Sequence, residues 1–209
     1  MSVGRDPSPL PAEPRGLVGR LDAWLALARA FARPLAFCGG LLILAAALLV
    51  AAEVVLRGVA NVSLGGADEL SGYAVAIATS FGLPLVLLER GHVRVDTLYH
   101  RLPARIVALL DLVALLVLTG FLALLGQRAG LVLADSLAFG ARATTPLATP
   151  LWIPQGLWLA GFAFHLLIAV PLCLRATLAF LQGDAASVRR LAGTPGPEEQ
   201  AARETVGGR

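Results

Sequence analysis

Four long apolar stretches separated by short polar connectors set the rhythm of this chain. They cover about residues 35–56, 70–88, 106–126 and 151–174. Each is close to the roughly 20 residues needed to cross about 30 Å of hydrocarbon. None alternates as a barrel strand would, and a lone segment in lipid must satisfy its own backbone hydrogen bonds, so the pattern predicts four transmembrane helices. The third helix is expected to continue towards Leu137.

Ahead of them the pattern changes. Leu17, Leu21, Trp24, Leu25, Ala28 and Phe31 share one helical face, with Asp22, Arg29 and Arg33 on the other. Residues 17–33 are therefore expected to form a short amphipathic helix in the headgroup region, with a continuation of the first span as the alternative. The predicted organisation is a disordered segment 1–16, the interfacial helix 17–33, a four-helix membrane domain 34–182 and a flexible tail 183–209. A cleaved signal peptide is not expected, because the first long apolar stretch begins too far from Met1.

Composition agrees with this fold class, an all-α integral membrane protein. The 209 residues are 57% hydrophobic and only 15% charged, against about a quarter charged in a soluble domain; the mean hydropathy is +0.76. All 17 basic side chains are arginine, with a formal net charge of +3. They flank the apolar stretches instead of gathering on one face, so nucleic acid is not an expected partner, whereas membrane lipid is. Arg5, Arg15, Arg20, Arg29 and Arg33 precede the first span, Arg90, Arg94, Arg101 and Arg105 lie between the second and third, and Arg175, Arg189, Arg190, Arg203 and Arg209 follow the fourth. The other side has only Arg57, Arg128 and Arg142. The positive-inside rule then places both termini in the cytoplasm.

Ionisable groups at membrane depth are costly and need a reason. Glu53 and Arg57 are four apart, forming either a local pair or a contact with a partner helix. Asp68 and Glu69 open the second span, where acidic groups suit a helix N-terminus and Asp68 or Ser63 is a candidate cap. Asp111 is expected either to pair with Arg105 or Arg101 or to face a neighbouring helix. His165 stands alone in the fourth span, too few histidines at one depth for haem ligation. Cys38 and Cys173 lack C-x-x-C spacing and read as packing residues. No Walker A, H-E-x-x-H or G-x-S-x-G motif occurs. No enzyme activity, catalytic residue, metal or cofactor is expected.

The connector between the second and third spans is the most distinctive stretch. It reads Glu89-Arg90-Gly91-His92-Val93-Arg94-Val95-Asp96, followed by Leu98 and Leu102-Pro103. A generic positive-inside loop explains its arginines but not its apolar residues or its His92–Asp96 spacing; these suggest a segment folded back on the interface.

Here the sequence resembles the small permease subunit of tripartite ATP-independent periplasmic (TRAP) transporters, the DctQ-like family. Arg90-Gly91-His92-Val93-Arg94-Val95-Asp96 is similar to that family's "H-V-x-V-D" run, and Leu102-Pro103 to its following Leu-Pro. Asp68-Glu69-Leu70, Phe81-Gly82, Arg57 and the Thr149-Pro150-Leu151-Trp152-Ile153-Pro154 entry to the fourth span add to the likeness, which covers about residues 35–180. Pro84 inside the second span and the lack of a second aromatic near Val75–Ile77 depart from it.

The resemblance implies a small subunit acting as a static scaffold for a large multi-span permease subunit. The large subunit would carry the substrate and Na⁺ sites. A periplasmic solute-binding protein would deliver an acidic small molecule for ion-coupled uptake across the bacterial inner membrane. Arg57, Glu69, Arg90, His92, Asp96 and Asp111 are then candidates for subunit interface or structural bracing. The alternative from the residues alone is a free-standing four-span protein such as a small exporter, assembly factor or electron carrier.

Overall fold

The computed structural model describes residues 16–91 and 102–193. The segments read from sequence as disordered (1–15 of it) and as the distal tail (194–209), together with His92 and Asp96, lie outside the described residues. The elements are α1 (Leu17–Ala60), α2 (Ala67–Leu88), α3 (Ala104–Ala138), α4 (Trp152–Leu181) and α5 (Ala185–Ala192). Among the described residues the helices α1 to α4 are each long and apolar enough to cross a membrane.

Three boundaries differ from the sequence reading. Residues 17–33 and the first span form one 44-residue helix that passes through Pro34. Proline removes one backbone donor and disfavours the helix locally, but a single missing bond in a long helix bends it more readily than it ends it. The third helix ends at Ala138, as its expected continuation towards Leu137 has it, while the fourth runs past its predicted end to Leu181. The tail, read as flexible from residue 183, contains α5. Pro84 and Pro171 likewise sit inside continuous helices.

The helices pack along seams with a seven-residue repeat. In α1 the buried positions include Leu25, Ala32, Gly39, Ala46 and Glu53; in α3 they include Ala108, Leu115, Leu122, Ala129 and Ser136. A strict seven-residue spacing favours left-handed crossing. Small residues on the seam replace the hydrophobic drive that lipid cannot supply, by letting backbones approach closely. A Cβ on Gly39 would lie 3.1 Å from the Ala78 carbonyl oxygen, and one on Gly161 would lie 2.6 Å from the Ser80 Cβ. These two glycines set the α1–α2 and α2–α4 spacings.

α1 pairs with α2 and α3 with α4, while α4 also packs on α2, α1 and α5. α4 is the hub. Its buried face includes His165, Ile168, Leu172 and Ala176, and Cys173 Sγ lies 3.0 Å from Thr119 Oγ1 on α3. The apolar core gathers at the end of the bundle shared by α5 and the start of α1, around Leu25, Leu112, Leu172 and Val188.

Tight caps end three of the helices. Gly140 after α3 and Gly183 after α4 have positive φ, of 58° and 75°. In both, amides of the next two residues bond back to the last turn (Gly140 to Leu137 and Ala141 to Ser136; Gly183 to Phe180 and Asp184 to Ala179). This is the Schellman arrangement, which favours glycine at the left-handed position. Arg90 adopts the same position after α2, with φ 57°, its amide bonded to Leu87 and that of Gly91 to Val86.

Asp184 then caps α5, accepting a hydrogen bond from the Ser187 amide at 2.9 Å. Those bonds from Ser187 hold the Asp184 carboxyl below its ordinary range. A carboxyl depressed in the folded state stabilises it above the unfolded value of about 3.9 and loses that contribution as pH falls through the folded value. Docking of α5 is therefore expected to loosen as the pH drops below about 4. Asp184→Asn, which keeps a capping oxygen, is expected to flatten that acid dependence, and Asp184→Ala to loosen α5 at every pH. Hydrogen exchange at the Val188 amide reads both.

Candidate functional site

Ion pairs stand at both ends of the bundle. At the end formed by the α1–α2 and α3–α4 loops, two carboxylates organise everything around them. Glu53 is 4% exposed. Its Oε1 accepts from Arg57 Nη2 at 2.5 Å and from Ser63 Oγ at 2.6 Å, and its Oε2 accepts from the Leu64 amide at 2.6 Å. Ser63 Oγ in turn accepts from the Gly65 amide at 3.2 Å. The α1–α2 connection is thus folded around one side chain reaching up from α1.

Glu69 ties this loop to the other hairpin. It is 8% exposed, accepts from Tyr73 Oη at 3.0 Å one turn further along α2, and accepts from Thr145 Oγ1 in the α3–α4 loop. That loop is itself cross-braced by hydrogen bonds. Ala143 N and Leu151 N bond to the Thr149 and Ala141 carbonyls, both at 3.0 Å, and Arg142 Nη1 reaches the Ala148 carbonyl at 3.1 Å. Between the loops lies a cleft of about 220 Å³ lined by Glu53, Arg57, Ser63, Asp68, Glu69 and Thr145, among others.

The opposite end is joined by longer-range pairs. Arg33 Nη2 meets Glu89 Oε1 at 3.2 Å, and Arg175 Nε meets Asp22 Oδ1 at 3.0 Å. Trp24 Nε1 donates to the Leu167 carbonyl at 3.1 Å.

The candidate residues fall out as follows. Arg57 and Glu69 belong to the loop-end joint, although to different parts of it: Arg57 braces Glu53, and Glu69 braces Thr145. Of the two sequence readings for Glu53 and Arg57, the local pair is the one seen. Neither Asp68 nor Ser63 caps α2, whose N-cap is Gly66 without a side-chain bond; Ser63 is engaged by Glu53, and Asp68 is the second helical residue, suited to the helix dipole. Arg90 closes α2. Asp111 is 1% exposed and faces a neighbouring helix, its Oδ2 3.0 Å from where a Cβ on Gly193 would be, at the end of α5. His165 is buried within the bundle, and Cys38 is exposed.

Sequence reasoning missed Thr145, Ser63, Asp22, Arg175 and the Trp24–Leu167 contact as joints. Ser63 was open to detection, because a short loop ten residues beyond a buried Glu must offer donors to it. Thr145 was not, since nothing local says which carboxylate lies opposite.

Carboxylates that accept from the donors of neighbouring segments act as fasteners. They order loops and hold hairpins together, each of their oxygens accepting from a donor of the chain itself. The family model for the DctQ component of tripartite ATP-independent periplasmic transporters matches residues 46–179. No curated protein and no solved structure shows significant similarity to the chain. The match spans more than half of the sequence and takes in α2, α3, most of α4, both loop-end carboxylates and the Arg90–Asp96 connector, and the chain belongs to the DctQ family of TRAP transporter components.

Proposed function

We propose that this chain is the small membrane subunit of a TRAP-type secondary transporter and acts in it as a static scaffold. It would hold the fixed part of a large permease subunit in the bacterial inner membrane. The large subunit would carry the substrate and the coupling Na⁺, and a periplasmic solute-binding protein would deliver an acidic small molecule. The loop end then faces the periplasm and the termini the cytoplasm, with residues 17–33 of α1 running along the inner interface.

One observation carries the scaffold role: the two hairpins are pinned to each other at both ends. Glu69 grips Thr145 at one end, and Asp22 grips Arg175 at the other. A gating element would need a low-stability joint somewhere along its length, whereas each joint here combines charge with defined geometry.

The test is reconstitution. In proteoliposomes with the binding protein and a Na⁺ gradient, the large subunit is expected to transport with this chain present and to lose most uptake without it. This chain alone is expected to transport nothing. Uptake by this chain alone, or full uptake by the large subunit alone, would overturn the reading. Asp96→Ala is expected to reduce co-purification with the large subunit while leaving substrate preference unchanged, measured by competition between two substrates.

A further inference from the structure

The face of α3 turned away from the bundle carries charge where a lipid-facing helix should not. The buried seam of α3 runs through Leu115, Leu122, Ala129 and Ser136. About half a turn round, a second stripe is exposed: Val117, Phe121, Leu124, Arg128, Leu131 and Asp135. Its spacing alternates four and three, the pattern of a helix–helix seam. Three of its apolar members are more than half exposed (Val117 66%, Phe121 55%, Leu131 53%) and Leu124 is half exposed.

Arg128 interrupts this apolar stripe well inside the helix. It lies ten residues before Ala138, about 15 Å from the loop end of α3. A Cβ on its neighbour Gly126 would touch the Leu166 side chain at 3.5 Å, which puts Arg128 about 18 Å along α4 from Trp152. Neither Arg128 nor Asp135 makes an ion pair or side-chain hydrogen bond among the described residues. Arg57, by contrast, is neutralised at once by Glu53. An arginine held at membrane depth ordinarily faces a polar partner or a protein interior, because lipid offers its guanidinium no acceptors.

We infer that this stripe is the docking seam for a membrane helix of the large permease subunit, one that presents a carboxylate at the depth of Arg128. Charge complementarity selects the occupant: a purely apolar helix or acyl chains would leave the guanidinium unmatched, and an acidic helix satisfies it. Asp135, two turns closer to the loop end, then sets the register by accepting from a basic or hydroxyl side chain on the same helix. Val117, Phe121 and Leu124 supply the packing below. The inference rests on the subunit reading above and adds to it the face by which the subunit binds.

A photo-crosslinking amino acid placed at Leu124 or Leu131 in the full complex, expressed with its large subunit in native membranes, tests it directly. Irradiation is expected to give an adduct with the large subunit from both positions. Arg128→Glu is expected to lower recovery of the large subunit with this chain by about tenfold or more, with the purified chain still monodisperse and helical. Adducts with lipid alone from a complex that purifies intact would overturn the docking seam while leaving the subunit reading in place. Failure of the unmodified chain to bring down any large subunit would overturn both.

Discussion

Gly161→Leu is expected to be the most damaging single substitution in the chain. At this position α4 crosses α2 with no room for a side chain: a Cβ alone would lie 2.6 Å from the Ser80 Cβ and 3.0 Å from the Ser80 carbonyl carbon. Ser80 cannot swing aside freely, because it is 2% exposed and its hydroxyl donates to the Ile77 carbonyl at 2.9 Å. Overpacking of this kind typically costs about 1–3 kcal/mol for a modest volume increase. Gly161→Ala is expected to fall in that range, and Gly161→Leu to exceed it and part the hairpins. Thermal unfolding in detergent followed by circular dichroism measures both. The geometry makes a sharper demand too: Ser80→Gly in the Gly161→Ala background should restore much of the loss, a coupling that independent sites would not show.

The second large effect is expected at Glu53. Three donors depend on this one carboxylate: the Arg57 guanidinium, the Ser63 hydroxyl and the Leu64 amide. Removing an acceptor strands every donor that pointed at it, so the loss exceeds that of removing one donor. Glu53→Ala should release the α1–α2 loop, seen as amide exchange at Leu64 faster by about tenfold or more. Arg57→Ala should disturb the same amide much less, since Ser63 and the Leu64 backbone keep their acceptor. Equal effects from the two substitutions would mean that the ion pair, and not the carboxylate's grip on the loop, holds the joint.

Much of this architecture was legible in the chain because lipid imposes a simple grammar. Apolar length marks the spans, and their order survives in α1 to α4. Pro34 shows where that grammar misleads. A proline beside a change from amphipathic to uniformly apolar residues reads as a boundary, yet the flanking turns supply enough backbone bonds to carry the helix through. The end of the third span was blurred for a related reason: Gln127, Arg128 and Asp135 read as exit from the membrane, yet Gly126 beside them packs on Leu166, well inside α4.

The joints were half legible. Glu53 and Arg57 are four residues apart, so helical periodicity alone brings them together. Glu69 and Thr145 are 76 positions apart in sequence, and their meeting depends on how two hairpins lean on each other. α5 was hidden for another reason. Its eight residues are too few to form a stable helix alone, and it exists because Val188, fully buried, has α3 and α4 to rest on.

The position of α4 at the centre of the bundle bears on biosynthesis. α3 finds its main packing partners in α4 and α5, which leave the ribosome after it. After α1 and α2 have inserted and paired, α3 must therefore wait beside the translocon with its seam of Leu115, Leu122 and Ala129 unmatched. Only when α4 emerges can Gly161 slot against Ser80 and Cys173 against Thr119, so tertiary consolidation is deferred until α4 has been translated. A nascent chain stalled in the α3–α4 loop would hold a paired first hairpin and an orphan helix, open to membrane chaperones or quality-control proteases.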